Sequence, residues 1–280
     1  MRTQIRRVLN AIMCVITVWL VSILIIGRGG KARTEQLTIA GSSTIAPIIV
    51  EVAGKFESCY PEVMVNVETG GSARGILDVR SGAIEIGMVS RTLLPEESDI
   101  RAYTVALDGV CVIVNQINTV SAFSTDQLRD VFTGEIQDWQ RLGAPRGNIV
   151  VVNKAEGRST LEVFRDYLEI ERGEIAETLV VGDNEQMIKT VASNPFAIGY
   201  VSIGAALTNV KLGVPIRLLA IDGIEPTISN VKSGRFPIMR ELNLVTKRRP
   251  CLLAEKFIRY FKDPQQTDVI ERLGYVPYSP

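Results

Sequence analysis

The chain has 280 residues, 46% hydrophobic and 22% charged, and its 31 basic residues balance 31 acidic ones. That length suits one or two globular domains, and zero net charge provides no basic field for nucleic acid. Histidine is absent, which removes the Ser–His–acid triad, the Cys–His pair and any His-ligated metal site.

Met1 to Ile26 reads as a targeting segment. Arg2, Arg6 and Arg7 precede an almost wholly apolar run from Val8 to Ile26. The run is long for a secretory core and near the lower length of a membrane span. Gly27-Arg28-Gly29-Gly30 follows where a small-residue cleavage site would stand, so cleavage and retention as an anchor both stay open. Either outcome exports the rest. Residues 1–35 are therefore read as signal or anchor plus linker.

Leu37 to Ala40 is an apolar strand that ends in Gly41-Ser42-Ser43-Thr44. Ile45, Ile48, Ile49, Val52 and Phe56 then form one helical stripe that stops before Pro61. Hydroxyls at a helix start can cap the free backbone N–H groups, or the same N–H groups and hydroxyls can face a bound anion. The pattern recurs. Val63, Val65 and Val67 alternate as a strand ahead of Thr69-Gly70-Gly71-Ser72 and a short helix. Ile149 to Val152 leads into Glu156-Gly157-Arg158-Ser159-Thr160 and a helix carrying Leu161, Phe164 and Leu168. Ligands of open α/β sheets sit at the carboxyl ends of strands, so three such turns converging would make a pocket of neutral donors.

Between the second and third turns, Ile84 to Val89 is a strand ending in Ser90-Arg91, where Arg91 is either a solvated charge or an anion contact. Tyr103 to Val114 runs apolar through Asp108-Gly109. A buried Asp108 needs partners: it can hold Arg91, cap a turn, or accept a hydrogen from a protonated ligand oxygen. Ser124-Thr125-Asp126-Gln127 is a capping box, and Trp139 is expected to plug a core beneath a loop. Asn184 to Val191 is a short helix, and Phe196 to Val201 a second apolar crossing. Ile216 to Ile221 and Leu242 to Thr246 are further strands, before a final amphipathic helix over Leu252 to Phe261. Strands alternating with helices predict an α/β fold. Of the four cysteines, Cys14, Cys59, Cys111 and Cys251, none sits in a metal-ligand spacing, and Cys111 reads as a small core hydrophobe. Cys59 and Cys251 could pair in an oxidising compartment.

The ordered motifs Gly-Ser-Ser-Thr-x-x-Pro, Gly-Gly-Ser, Ile-Gly-Met-x-Ser-Arg, Ala-Leu-Asp-Gly, Phe-Thr-Gly-x-Ile-x-x-Trp, Glu-Gly-x-Ser-Thr and Ala-Ile-Gly-Tyr-Val span Leu37 to Pro280. In this set the chain resembles the phosphate-binding proteins of bacterial phosphate ABC importers. The resemblance implies a two-lobed periplasmic-binding-protein fold of type II with a ligand cleft between lobes. One lobe would comprise 36–113 and 202–280, the other 114–201. It implies an exported, monomeric, non-enzymatic protein without cofactor or metal, which captures inorganic phosphate and delivers it to a permease in the cytoplasmic membrane. The other reading is an oxyanion sensor, scavenger or adhesion module with no transporter. Carried over by position, Ser42, Ser43, Thr44, Ser72, Ser90 and Arg91 would donate from one lobe, and Ser159 and Thr160 from the other. Asp108 would accept the proton of hydrogen phosphate and repel sulfate. Many relatives read Gly-Ser-Gly-Thr at the third turn with an arginine before it. This chain has Gly157-Arg158-Ser159-Thr160 preceded by Asn153-Lys154, so Arg158 either replaces that arginine as a clamp or points away.

Overall fold

The computed structural model describes residues 35–278. The targeting segment and Cys14 lie outside the described residues. Eleven strands are present among them: β1 (Glu35–Gly41), β2 (Val63–Thr69), β3 (Ile86–Val89), β4 (Ile100–Asn115), β5 (Ala122–Phe123), β6 (Val150–Lys154), β7 (Leu179–Val181), β8 (Ala197–Ser202), β9 (Ile216–Ile221), β10 (Met239–Lys247) and β11 (Val276–Pro277). They follow the order β2-β1-β3-β10-β4-β8-β6-β7, with β9 and β11 also on β4 and β5 on β9.

The long strand β4 explains why the sheet has two halves. Its residues up to Gly109 pair with β10 and β11. From Val110 onward its partners are β8 and β9. The apolar run Val110 to Val114 is fully buried, as expected for a strand covered on both faces. Each half has its own core. Leu37, Ile39, Ile49, Val52, Phe56, Leu242, Leu244, Phe257 and Phe261 fill the first. Val112, Phe132, Trp139, Phe164, Tyr200, Leu219 and Phe236 fill the second, where the Phe164 and Tyr200 rings stack 4.0 Å apart. Trp139 is the expected core plug, and its indole N–H donates to the Phe196 carbonyl.

The two-lobed α/β expectation holds, but the lobe boundaries move. Ile203, Ala206, Ile216, Leu219, Ile221, Val231, Phe236 and Ile238 all bury into the second core. The second lobe therefore takes in 110–238, not 114–201. Both chain crossings lie side by side, Gly109 to Val110 against Ile238 to Met239, where the Val110 N–H donates to the Ile238 carbonyl at 2.9 Å. The expected boundary failed because β9 is as apolar as any first-lobe strand. Its periodicity does not say which core it feeds. Cys59, Cys111 and Cys251 are free, with Cys111 buried.

Candidate functional site

The three hydroxyl turns meet where the lobes face each other. Gly41 permits the first approach. Its φ is +136°, and a Cβ there would stand 2.3 Å from the Met88 carbonyl oxygen, so β1 and β3 can end side by side. Gly71 does the same across the lobes, with φ +95° and the Gly157 carbonyl oxygen 2.7 Å from a would-be Cβ. The adjacent Ala73 N–H donates to that carbonyl at 3.2 Å.

Helix capping separates these turns from the rest of the protein. The helices Thr125–Phe132, Asn184–Ser193 and Ile203–Lys211 are capped by the side chains of Ser124, Asp183 and Ser202. The helices Ala46–Cys59, Ser72–Ser81 and Ser159–Leu168 carry no side-chain cap. The Ser42, Thr44, Ser72 and Thr160 hydroxyls bond to the end of β3 and to Arg240 instead. Ser42 Oγ donates to Ser90 Oγ at 2.9 Å, and the Ser90 N–H donates to Ser72 Oγ at 3.2 Å. Three helix N-termini thus bring their partial positive charge to one place, although the Ala73 N–H is given to the Gly157 carbonyl and the Thr44 N–H to Ser42 Oγ.

The centre of the cluster is Arg240, from β10. Its side chain and that of Asp108 are each 1% exposed, and they pair at 2.8 Å. Both Nε and Nη2 donate to Asp108 Oδ2. The outer edge of the guanidinium donates to Thr160 Oγ1 at 2.9 Å, Thr44 Oγ1 at 3.1 Å and Ser90 Oγ at 3.4 Å. From the second lobe, Lys154 Nζ donates to Asn184 Oδ1 at 2.9 Å, and Asn184 Nδ2 donates to Thr44 Oγ1 at 3.1 Å.

A count of lone pairs gives the chemistry. A hydroxyl offers one hydrogen and two lone pairs. Thr44 Oγ1 already accepts from Arg240 and Asn184, and Ser90 Oγ from Ser42 and Arg240. Their own hydrogens can therefore only be donated. Ser159 Oγ and Arg158 Nη1 are buried without a partner among the described residues. Asp108 brings the one carboxylate of the cluster, and its oxygens are occupied by Arg240 and by the Gly204 N–H at 3.4 Å. What remains is a set of donors, which fits an anion with several oxygens.

Burial dominates the charges here. It pushes the Asp108 carboxyl above its ordinary value, against the pull of Arg240. It also lowers Arg158. The Lys154 amine is pushed down to about 7, first by burial and then by the Arg240 charge.

Of the residues expected from the sequence, Ser42, Thr44, Ser72, Ser90, Asp108, Ser159 and Thr160 are all buried. Hydrogen bonds among them and through Arg240 link Ser42, Thr44, Ser72, Ser90, Asp108 and Thr160. Ser43 is half-buried beside them in sequence. Arg158 packs its aliphatic stem against Gly71 and keeps Nη1 buried, so it does not point out to solvent. Two expectations change. Asp108 holds Arg240, neither Arg91 nor an open acceptor position. Arg91 turns to carboxylates: Nε donates to Glu162 at 2.6 Å, and both Nη atoms donate to Glu97 at 2.7 and 2.8 Å. Its guanidinium does not join the cluster. Sequence reasoning missed Arg240, Lys154 and Asn184 as members. The one signal for Arg240 was Asp108 itself, a lone carboxylate in an apolar strand that required a cation. A groove of about 480 Å³ in the second lobe, between Val131, Gln137, Asn148 and Thr178, has no charged side chain in its lining and shares none with the site.

Residues 27–264 match the model of the PBP superfamily domain. The phosphate-binding protein PstS of Bacillus subtilis is 32% identical over 258 residues, covering 90% of this chain and 84% of that protein. The crystal structure of a protein from Clostridium perfringens, described as a phosphate ABC transporter substrate-binding protein with bound phosphate, superposes with a TM-score of 0.82 at 25% identity. It covers 88% of this chain and all (100%) of its own. An ABC-type phosphate transport receptor from Vibrio cholerae gives 0.71 at 26% identity, over 87% of this chain and 100% of its own. The superfamily match over most of the length, and the identity to PstS over nearly all of it, place this chain in the PstS family of the PBP superfamily.

Proposed function

We propose that this protein captures inorganic phosphate between its two lobes outside the cytoplasmic membrane and delivers it to an ABC importer. The observation that carries the proposal is the donor-only cluster around Arg240. Thr44, Arg158 and Ser159 at two uncapped helix starts, and Ser90 and Lys154 at strand ends, hold uncommitted hydrogens. Several fixed donors with two or three cations suit a tetrahedral dianion, and lobe closure would strip its water and strengthen each contact. The resemblance to PstS proteins supports phosphate as that anion.

Arg240 and Thr160 would grip the anion from opposite lobes, so binding and closure are one event. Asp108 serves by fixing the Arg240 fork, which would otherwise sample several rotamers. We assign no catalytic role, in keeping with the binding-protein description of its PstS relatives. Export by the N-terminal segment, service to a permease and a monomeric state are parts of the same proposal.

Calorimetric titration with phosphate and then sulfate tests it, on protein unfolded and refolded to strip carried ligand. Tight one-to-one phosphate binding is expected. Binding of neither anion would overturn the proposal.

A further inference from the structure

Lys154 is the unusual member of the cluster. It lies at the end of β6, 2% exposed. Its backbone N–H is tied to Tyr200 Oη at 3.3 Å, and Tyr200 in turn donates to Asn153 Oδ1. The strand end is thus fixed, and the side chain is held where it reaches Asn184. Nζ has one partner there, the neutral Asn184 Oδ1. No carboxylate lies within ion-pair distance among the described residues. The charged and titratable groups that surround it are mixed. Arg240 from β10 and Arg158 from the third turn oppose its proton. Asp183 and Glu185, at the start of the helix Asn184–Ser193, favour it. Asp183 is already engaged in capping the Gln186 N–H.

A buried ammonium with one neutral partner and two guanidinium neighbours holds its proton weakly. A dianion placed among Thr44, Ser159 and Arg240 would reverse that balance, because it adds two negative charges to the same water-poor space. We infer that anion capture by this protein is linked to uptake of a proton by Lys154. The inference rests on the phosphate reading above and adds a charge state to it: the site is completed as a cation site only when the anion arrives. An arginine in the place of Lys154 would stay charged throughout and show no such linkage. The consequence is that phosphate would be held most firmly near neutral pH and released more readily as pH rises above it. The affinity would fall by up to about tenfold per pH unit over the range in which free Lys154 is neutral and bound Lys154 is charged.

The test is calorimetry on the full chain at about pH 8.5, where phosphate is already the dianion and brings no proton of its own to the balance. Titrations in buffers of different ionisation heat give the protons taken up per phosphate bound. The wild type is expected to take up a substantial fraction of one proton, and K154R to bind with none. Carbon-13 labelling of the lysine side chains gives a second readout that needs no variant. The Lys154 Cε resonance should titrate near neutrality in the free protein and stay in its charged position when phosphate is added. Tight phosphate binding with no proton uptake, or the same uptake in K154R, would overturn the linkage and leave the phosphate reading standing. Failure of the refolded wild type to bind phosphate at any pH would overturn both.

Discussion

Arg91 and Arg240 both come from the first lobe, and both reach across to the second. Arg240 is 1% exposed and pairs with one carboxylate from the neighbouring strand. Three of its contacts are left for hydroxyls, among them Thr160 of the other lobe. Arg91 is nearly as buried but is saturated by two carboxylates, Glu97 of its own lobe and Glu162 of the other. Its proton is held more firmly than usual, chiefly by the Glu97 hydrogen bonds. One guanidinium is balanced by a single carboxylate and gives its other N–H groups to hydroxyls of the site; the other faces two carboxylates, one more than its charge, and gives the site none. An arginine's position after a strand does not make it an anion ligand. The number of carboxylates around it does.

The largest effect should follow from breaking the central pair. R240M should remove phosphate binding by at least about 100-fold, since two or more charge-assisted hydrogen bonds go with it. It should also cost about 3–5 kcal/mol of stability, because Asp108 is left buried and unpaired. The double variant R240M/D108L should recover most of the melting temperature and none of the binding. Recovery of binding as well would show that Arg240 acts only through folding. S159A and R158A come next, each expected to weaken phosphate by about tenfold, because each removes a buried donor with no protein partner among the described residues. Unchanged affinity in R158A would remove that guanidinium from the site.

The smallest effect belongs to the Arg91 clasp. Glu162 is more exposed, at 28%, than Glu97 at 8%. E162Q should therefore weaken phosphate binding only about two- to fivefold, through easier reopening of the lobes, and the difference should fade in high salt. A loss as large as that of R240M would mean that the clasp, not the centre, holds the ligand. The pH dependence of stability sharpens the contrast further. Lys154 has its value lowered from 10.5 to about 7 by burial. Between those values the unfolded chain holds a proton that the folded, ligand-free protein does not. This group therefore makes the ligand-free protein more stable as pH rises from about 7 toward 10.5. K154M should flatten that part of the stability profile, as read from denaturant melts.

Much of the fold was legible because its signals are local. The stripe from Ile45 to Phe56, the stop at Pro61, the capping box at Ser124 and the apolar crossing from Val110 to Val114 each depend on near neighbours in sequence. The three hydroxyl turns were legible for the same reason, and their convergence follows from the rule that sites form at strand ends. Two kinds of fact were not local. Lobe membership of 203–238 depends on which core β9 joins, and β9 pairs with β4 about a hundred residues earlier. The partner of Asp108 is Arg240, set 132 residues away in sequence by antiparallel register. Arg91 illustrates the opposite error. Glu97 stands six residues after it, close enough to be weighed as a partner. Its carboxyl, despite opposing burial, is kept below its usual value by Arg91 and by the Leu94 N–H.

The anion is assigned to Arg240, between Thr44 and Thr160. Arsenate has the shape and charge of phosphate and an anomalous X-ray signal, so a crystal of the refolded protein with arsenate tests the claim directly. One anomalous peak is expected within hydrogen-bond distance of the Arg240 Nη atoms and the Thr44, Thr160 and Ser159 hydroxyls, with Lys154 Nζ turned toward it. A single ordered peak at Arg91, or anywhere outside that cluster, would contradict it.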